Sequence, residues 1–159
     1  MKRNLLLITF LIFSCFCFSQ KSVTWKSLAR VKWRTSYVST FDGYYDIPRF
    51  SESIKDLDGK SIRIKGYFIP VDTNKQFIAL ASRPSRTVFI SNGKGSESVL
   101  EIIPKEGETR ILALKPDKYV EIKGILLINN EDPTRLMYTI KKAELLSEVT
   151  SLGGEKGTW

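Results

Sequence analysis

The amino-acid sequence predicts a mainly β domain, a small five-stranded barrel preceded by a helix-and-strand extension. Three observations carry that expectation. The stretch Leu57–Val71, LDGKSIRIKGYFIPV, joins an Asp58-Gly59 turn signal to a long strand in which Ile62, Ile64 and Phe68 recur with period two. The same phrase returns as Tyr119–Ile128, YVEIKGILLI. Each copy carries a mid-strand glycine, Gly66 or Gly124, where a bulge or a sharp bend is expected. Two matched, bent strands suit a small sheet that closes on itself.

Ahead of the domain stands a segment that reads as an address. Lys2 and Arg3 form a basic head, Leu5–Phe18 is an almost unbroken apolar run, and Cys17-Phe18-Ser19 offers small residues at the two positions that a signal peptidase reads. Cleavage is placed before Gln20. The apolar run is shorter than the roughly 20 residues that a membrane-spanning helix needs, which argues against an uncleaved anchor. A lipid-anchored alternative, with Ile12-Phe13-Ser14 before Cys15, puts bulky Phe13 where a small residue is usual. The expected location is therefore periplasmic or extracellular. The domain is placed at residues 20–150, with a flexible tail at 151–159.

Both cysteines, Cys15 and Cys17, fall inside the expected leader, and the sequence contains no histidine. The mature chain would then lack disulfides, thiol nucleophiles, the usual zinc, copper and haem ligands and the commonest general base. No cofactor is expected. Removing residues 1–19 from the 159 leaves 140, a comfortable size for one domain that needs no staples. The net charge falls from +8 to +6, because Lys2 and Arg3 leave and no acid does. A basic exported domain favours anionic partners. Here acids are interleaved with the cations, so the charge reads first as a means of solubility.

In chain order, Thr24 is placed to cap a short helix carrying Trp25 and Leu28, after which Val31, Trp33, Thr35 and Tyr37 alternate as in a strand. The two tryptophans are expected to pack this extension onto the barrel; stacking on a ligand is the alternative. FDGYYDIPRF reads as an aromatic, turn-rich stretch, and Ser51–Leu57 as a short helix with Ile54 and Leu57 inward. The second and third barrel strands are placed at Phe77–Ala81 and Val99–Ile103, followed by a short apolar run, Ile111–Leu114. Between those strands, Ser91–Ser96 is a flexible loop. It lacks the full GxxxxGK[ST] spacing of a phosphate cradle. The fourth strand, Tyr119–Ile128, turns apolar on both faces after Gly124 and is expected to run beneath the Trp25–Tyr37 segment. Leu136–Leu145 is the fifth.

Five strands with bent first and fourth members resemble the OB-fold, so the expected class is an OB-like barrel. Such barrels serve many ligands, and the fold alone names none. Arg63, Lys65, Tyr67 and Lys123 are expected to point outward and, with Lys94 in the glycine-rich loop, form the candidate binding face. As a nucleic-acid surface this is thin, since interleaved exposed aromatics and cations are few.

The motifs resemble a family. W25-x-x-L28-x-x-V31, P48-x-F50-x-x-S53-I54-x-x-L57-x-G59-K60, I64-K65-G66-Y67, G95-S96-E97-S98-V99-x-E101 and I122-K123-G124-x-L126-x-I128-N129 followed by Y138-x-I140-x-x-A143-E144 resemble an uncharacterised family of small exported bacterial proteins with an OB-like core. The resemblance implies no assigned activity. Many relatives carry a Cys-aromatic-aromatic-Cys motif before the glycine-rich loop and a histidine before the final tyrosine. Here Val88 and Ser91, flanking Phe89 and Ile90, stand at the cysteine positions, and Arg135 at that of the histidine. Chemistry that needs those ligands is closed to this chain.

Two functional readings follow. One is an exported, non-catalytic binding or accessory domain of the cell envelope that meets an anionic glycan, a lipid or an envelope protein. The other is a carboxylate-dependent hydrolase or calcium-binding domain built on the acidic turns Asp42–Asp46 and Glu131-Asp132.

Overall fold

In the computed structural model, residues 20–72, 74, 77–85 and 95–149 are described. The expected leader and tail lie outside them, as do Val88, Ser91 and Lys94. A short strand β1 (Lys21–Ser22) leads into helix α1 (Trp25–Leu28), and strands β2 (Val31–Val38) and β3 (Gly43–Phe50) form a hairpin. Helix α2 (Glu52–Lys55) then precedes the barrel strands β4 (Ser61–Pro70), β5 (Ile78–Ala81), β6 (Val99–Pro104), β7 (Tyr119–Ile128) and β8 (Tyr138–Glu148). Helix α3 (Thr109–Ala113) lies between β6 and β7.

The sheet order β4-β5-β6-β8-β7 closes through a β4–β7 pairing, and β6 and β8 run parallel while the other barrel pairs are antiparallel. This is a closed, mixed five-stranded barrel with the OB-like connectivity that the sequence predicts. Alternation selects its interior. Ile62, Ile64, Phe68, Leu100, Ile122 and Ile140 are all buried, each burial worth about 1.5–3 kcal/mol. From α3 and the residue after it, Ile111 and Leu114 join the same core, so the apolar run at 111–114 is mostly helical.

β4 changes partner at its middle. Residues 61–67 pair with β7, whereas Tyr67–Pro70 pair with β5. The first half of β4 thus has an edge that β5 does not reach, and the N-terminal extension fills it. β1 pairs in parallel with Ile62 and Arg63, the Val23 amide donates to the Arg63 carbonyl at 2.8 Å, and Trp25 Nε1 donates to the Lys65 carbonyl at 2.7 Å. Trp25 is therefore a fastening of the fold.

Thr24 and Ser27 form a reciprocal capping box on α1, as the sequence predicts for Thr24. The helix ends with Leu28 buried and its carbonyl accepting from the Tyr138 hydroxyl at 2.7 Å inside the core.

Three sequence expectations need correction. FDGYYDIPRF is largely strand: β3 pairs with β2 in unbroken register from Val31↔Phe50 to Val38↔Gly43. Its Asp, Gly and Pro residues resemble breakers, yet Pro48 is tolerated because β3 has only one strand neighbour. Gly66 is not bulged, since its register with Val120 is regular. It is needed for proximity, because a Cβ there would sit 2.7 Å from the Ala81 carbonyl oxygen. The bulge lies opposite Gly124, on β8, where Lys142 takes φ +52°. A Cβ on Gly124 would overlap Ile140 Cγ2 and lie 2.8 Å from the Lys141 oxygen. Finally, β7 keeps alternating as far as Leu127. Leu126 is fully buried while Ile125 and Leu127 are half-buried, so neither face change nor full cover follows Gly124.

Two measurements test these contacts. Gly124→Ala overpacks the β7–β8 crossing and is expected to lower the unfolding free energy by about 1–3 kcal/mol in urea denaturation. Burial, helped by the charge of Glu97, pushes the Tyr138 phenol well above its ordinary pKa. In the unfolded chain that phenol ionises near pH 10 while the folded one stays protonated, so its contribution is complete below about pH 10 and is lost as pH rises beyond it. Tyr138→Phe should cost about 1–3 kcal/mol at pH 8, by orphaning the Leu28 carbonyl, and should flatten the alkaline fall in stability. An equally steep fall in the variant would assign it to other groups.

Candidate functional site

The sequence-predicted face comes together on the outside of β4 and β7. Cross-strand partners are Arg63↔Lys123, Lys65↔Glu121 and Tyr67↔Tyr119, with the two tyrosine rings 4.9 Å apart. Four of the five predicted residues therefore share one surface, and Lys94 lies outside the described residues.

That surface is not a bare cationic strip. Glu144, next to Lys123 across β7–β8, accepts ion pairs of 3.1 Å from both Lys123 and Lys105, and Glu121 stands opposite Lys65. Arg63 and Lys123 face each other as like charges, a destabilising arrangement that Glu144 offsets. Arg63 Nε is buried without a hydrogen-bond partner. Lys123 and Lys105 hold the Glu144 carboxyl below the usual carboxylate range. Glu121 and Glu144 thus offset part of the charge of Arg63, Lys65, Lys105 and Lys123 on this face.

OB-like barrels often take ligands across their second and third strands. Here Ala79, Ala81 and Val99, outward positions on those strands, are buried in a small second cluster with Ile69 and Leu136. The neighbouring outward position Glu101 accepts from Thr139 Oγ1 at 3.1 Å, and only Ile103 at the strand end is exposed.

A concave site lies elsewhere, between the β2–β3 hairpin and the loop from β7 to β8. This cleft has a volume of about 250 Å³. Trp33 and Pro48 give it an apolar wall, and Asp46, Asn130, Asp132 and Arg135 supply polar groups. Trp33 reaches it because β2 places Val31 and Trp33 on the face that packs onto the core, opposite Phe50 and Pro48. Asp46 is the next inward position on β3 and accepts from Thr35 Oγ1 at 2.7 Å.

The opposite lip is stiffened by its own side chains. Asn129 Oδ1 accepts from the Glu131 and Asp132 amides, and Asn129 Nδ2 donates to the Asp132 and Leu136 carbonyls. Asp132 accepts from both the amide and the hydroxyl of Thr134, which hold its carboxyl below the ordinary range. Such Asx-type bonding fixes a loop without a core. Arg135, at the position implied for histidine, is mostly exposed on this lip, 3.9 Å from Glu101.

The acids of the calcium or hydrolase reading are divided in role. Asp42 accepts from the Tyr37 hydroxyl at the hairpin turn, 2.5 Å away, whereas Asp46 and Asp132 both line the cleft. Among the described residues, no three Asp, Glu, His or Cys side chains converge as a metal-binding set. The cleft is not legible in the sequence because its walls are separated by about eighty residues, and Trp33, Asp46, Asp132 and Arg135 point there to three unrelated readings: packing, an acidic site and a missing histidine.

The ion-paired ladder yields a titration test. Glu144 contributes stability above the ordinary carboxylate pKa and loses it as pH falls through the lowered value. NMR should show the Glu144 carboxyl titrating below the ordinary glutamate range, and Lys123→Ala should move it upward. No movement would mean that the pair is not formed in solution.

No family model matches the chain, and no curated protein matches it. Among solved structures, the chain is similar to a DUF3299 family protein from Pseudomonas aeruginosa PAO1. The two are 12% identical, with 83% of this chain and 99% of that one covered, at a TM-score of 0.45.

Proposed function

We propose that the chain is an exported, non-catalytic binding domain of the bacterial cell envelope, and that it takes a hydroxyl-rich ligand, such as the end of a glycan, in the cleft beside Trp33. The observation that carries this reading is the pairing of an apolar indole wall with a lip held in place by the hydrogen bonds of Asn129 and Asp132. An aromatic wall offers a surface for the apolar face of a sugar ring, and preorganised polar groups lower the entropy lost on binding. With Asp46 and Asp132 set against Arg135, the cleft favours a neutral polar ligand over the anionic one expected at the β4–β7 ladder. Export rests on the basic head and apolar run at the start of the sequence. Among the described residues, no helix is long and apolar enough to cross a membrane.

A binding role suits these groups better than hydrolysis. A general acid needs a carboxyl pKa raised towards neutrality, whereas the hydrogen bonds from Thr134 hold Asp132 ionised.

Calorimetric titration of the chain from Gln20 to Trp159 with soluble cell-wall glycan fragments is the direct test. Saturable binding is expected, with the fragments recovered uncleaved. Trp33→Ala should weaken it roughly three- to tenfold, the worth of one aromatic contact. Because Trp33 also packs on the core, Arg135→Ala, on an exposed side chain, serves as the second variant and should weaken binding without altering the fold. Unchanged affinity in both variants would exclude the cleft, and release of new reducing ends would favour the hydrolase reading.

A further inference from the structure

The positive charge is not spread evenly, and the hairpin sorts it by face. Residues 20–50 hold six cations, Lys21, Lys26, Arg30, Lys32, Arg34 and Arg49, against two acids, Asp42 and Asp46, for a net +4 of the +6 that remains after residues 1–19. None of those six cations forms an ion pair among the described residues, whereas all six ion pairs there are made by cations of residues 55–135. This corrects the expectation of evenly interleaved charge.

Register fixes the sides. Val31 and Trp33, with Phe50 and Pro48 opposite them, lie on the face that packs onto the barrel and overhangs the cleft, and at its far end Tyr37 and Tyr44 are exposed. The outer face carries the alternate pairs Lys32↔Arg49, Arg34↔Ile47 and Ser36↔Tyr45. Its three cations are exposed, Ile47 and Tyr45 are half-buried, and it bears no acid; Asp46 lies on the other face and Asp42 in the turn. Directly opposed cations repel, so Lys32 beside Arg49 is a cost that the fold leaves without an acid on that face.

We propose that this outer face of the β2–β3 hairpin docks onto an anionic phospholipid surface. Charge complementarity supplies the attraction, and the shape of the face selects the occupant. Binders of single-stranded anionic polymers use a charged groove that tracks the backbone, whereas this face is an open two-stranded ribbon. Beside the cations lie Ile47 and Tyr45, an aliphatic and an amphipathic aromatic side chain suited to the headgroup boundary. Ile47 also lines the cleft, but Lys32, Arg34 and Arg49 do not, so the cationic part of this face and the cleft stand apart.

The test is co-sedimentation of the chain from Gln20 to Trp159, which contains the whole described barrel, with vesicles of phosphatidylglycerol and phosphatidylethanolamine or of phosphatidylcholine alone. Binding is expected to the anionic vesicles only and to weaken as salt is added. Lys32→Gln, Arg34→Gln and Arg49→Gln together should reduce partitioning on the order of a hundredfold. Lys60→Gln, Lys115→Gln and Lys141→Gln remove the same charge from exposed barrel positions and should change it little. Circular dichroism establishes that both triple variants keep the fold.

Equal losses in the two triple variants would reduce the effect to net charge and overturn the proposal, as would absence of binding to anionic vesicles at low salt. Retention on soluble polyphosphate without vesicle binding would assign the face to a polymer and overturn it too. The hairpin triple variant should still bind glycan fragments, and Trp33→Ala should still bind vesicles, which separates failure here from failure of the cleft.

Discussion

β4 must pair with two different strands, and that requirement organises the molecule. A barrel of five short strands closes only if one of them bends enough to serve β7 with its first half and β5 with its second. Gly66, next to the handover at Tyr67, permits the close passage of Leu80 and Ala81 that the bend requires. The remaining cost is an open backbone edge along the first half of β4. Unpaired carbonyls in a sheltered position are expensive, and the chain meets them at Arg63 and Lys65 with Val23 and Trp25.

The placement of the candidate sites follows from that solution. Once Trp25 is tied to β4, α1 points the Leu28 carbonyl at Tyr138, the residue that opens β8. Phe50 packs against the same tyrosine ring with centroids 5.6 Å apart, so the base of the hairpin is held by the core from one side and by α1 from the other. The hairpin must then leave the barrel beside the loop from β7 to β8, and a cleft results. The base of its inner face, Val31, Trp33, Pro48 and Phe50, is committed to packing and to that cleft. On the outer face Tyr45 packs against Phe41, whereas Lys32, Arg34 and Arg49 stay exposed.

The barrel was legible from sequence because its strands are half-buried and alternate cleanly. Ile62, Ile64 and Phe68 in β4 and Val120 and Ile122 in β7 announce their own period. β3 was illegible because Asp46 and Pro48 carry the chemistry of turns, and only pairing with β2 overrules it. Outward orientation of Arg63, Lys65, Tyr67 and Lys123 was readable, but the neutralising reach of Glu144 was not, since it arrives across a bulge from another strand. The segregation of charge escaped notice for a related reason. Over the whole chain, acids and cations are intermixed; counted over residues 20–50 and by face of the hairpin, they are not.

The extension that completes β4 also acts as a guard. A sheet edge with vacant hydrogen-bonding groups is a template for any extended strand, including one from another copy of the same chain. β1 and Trp25 occupy that template with residues covalently tethered nearby, at a high effective concentration. A chain that lost its first ten structured residues would therefore do more than loosen: its barrel would expose an adhesive margin, and self-association through added strands would compete with the closed fold.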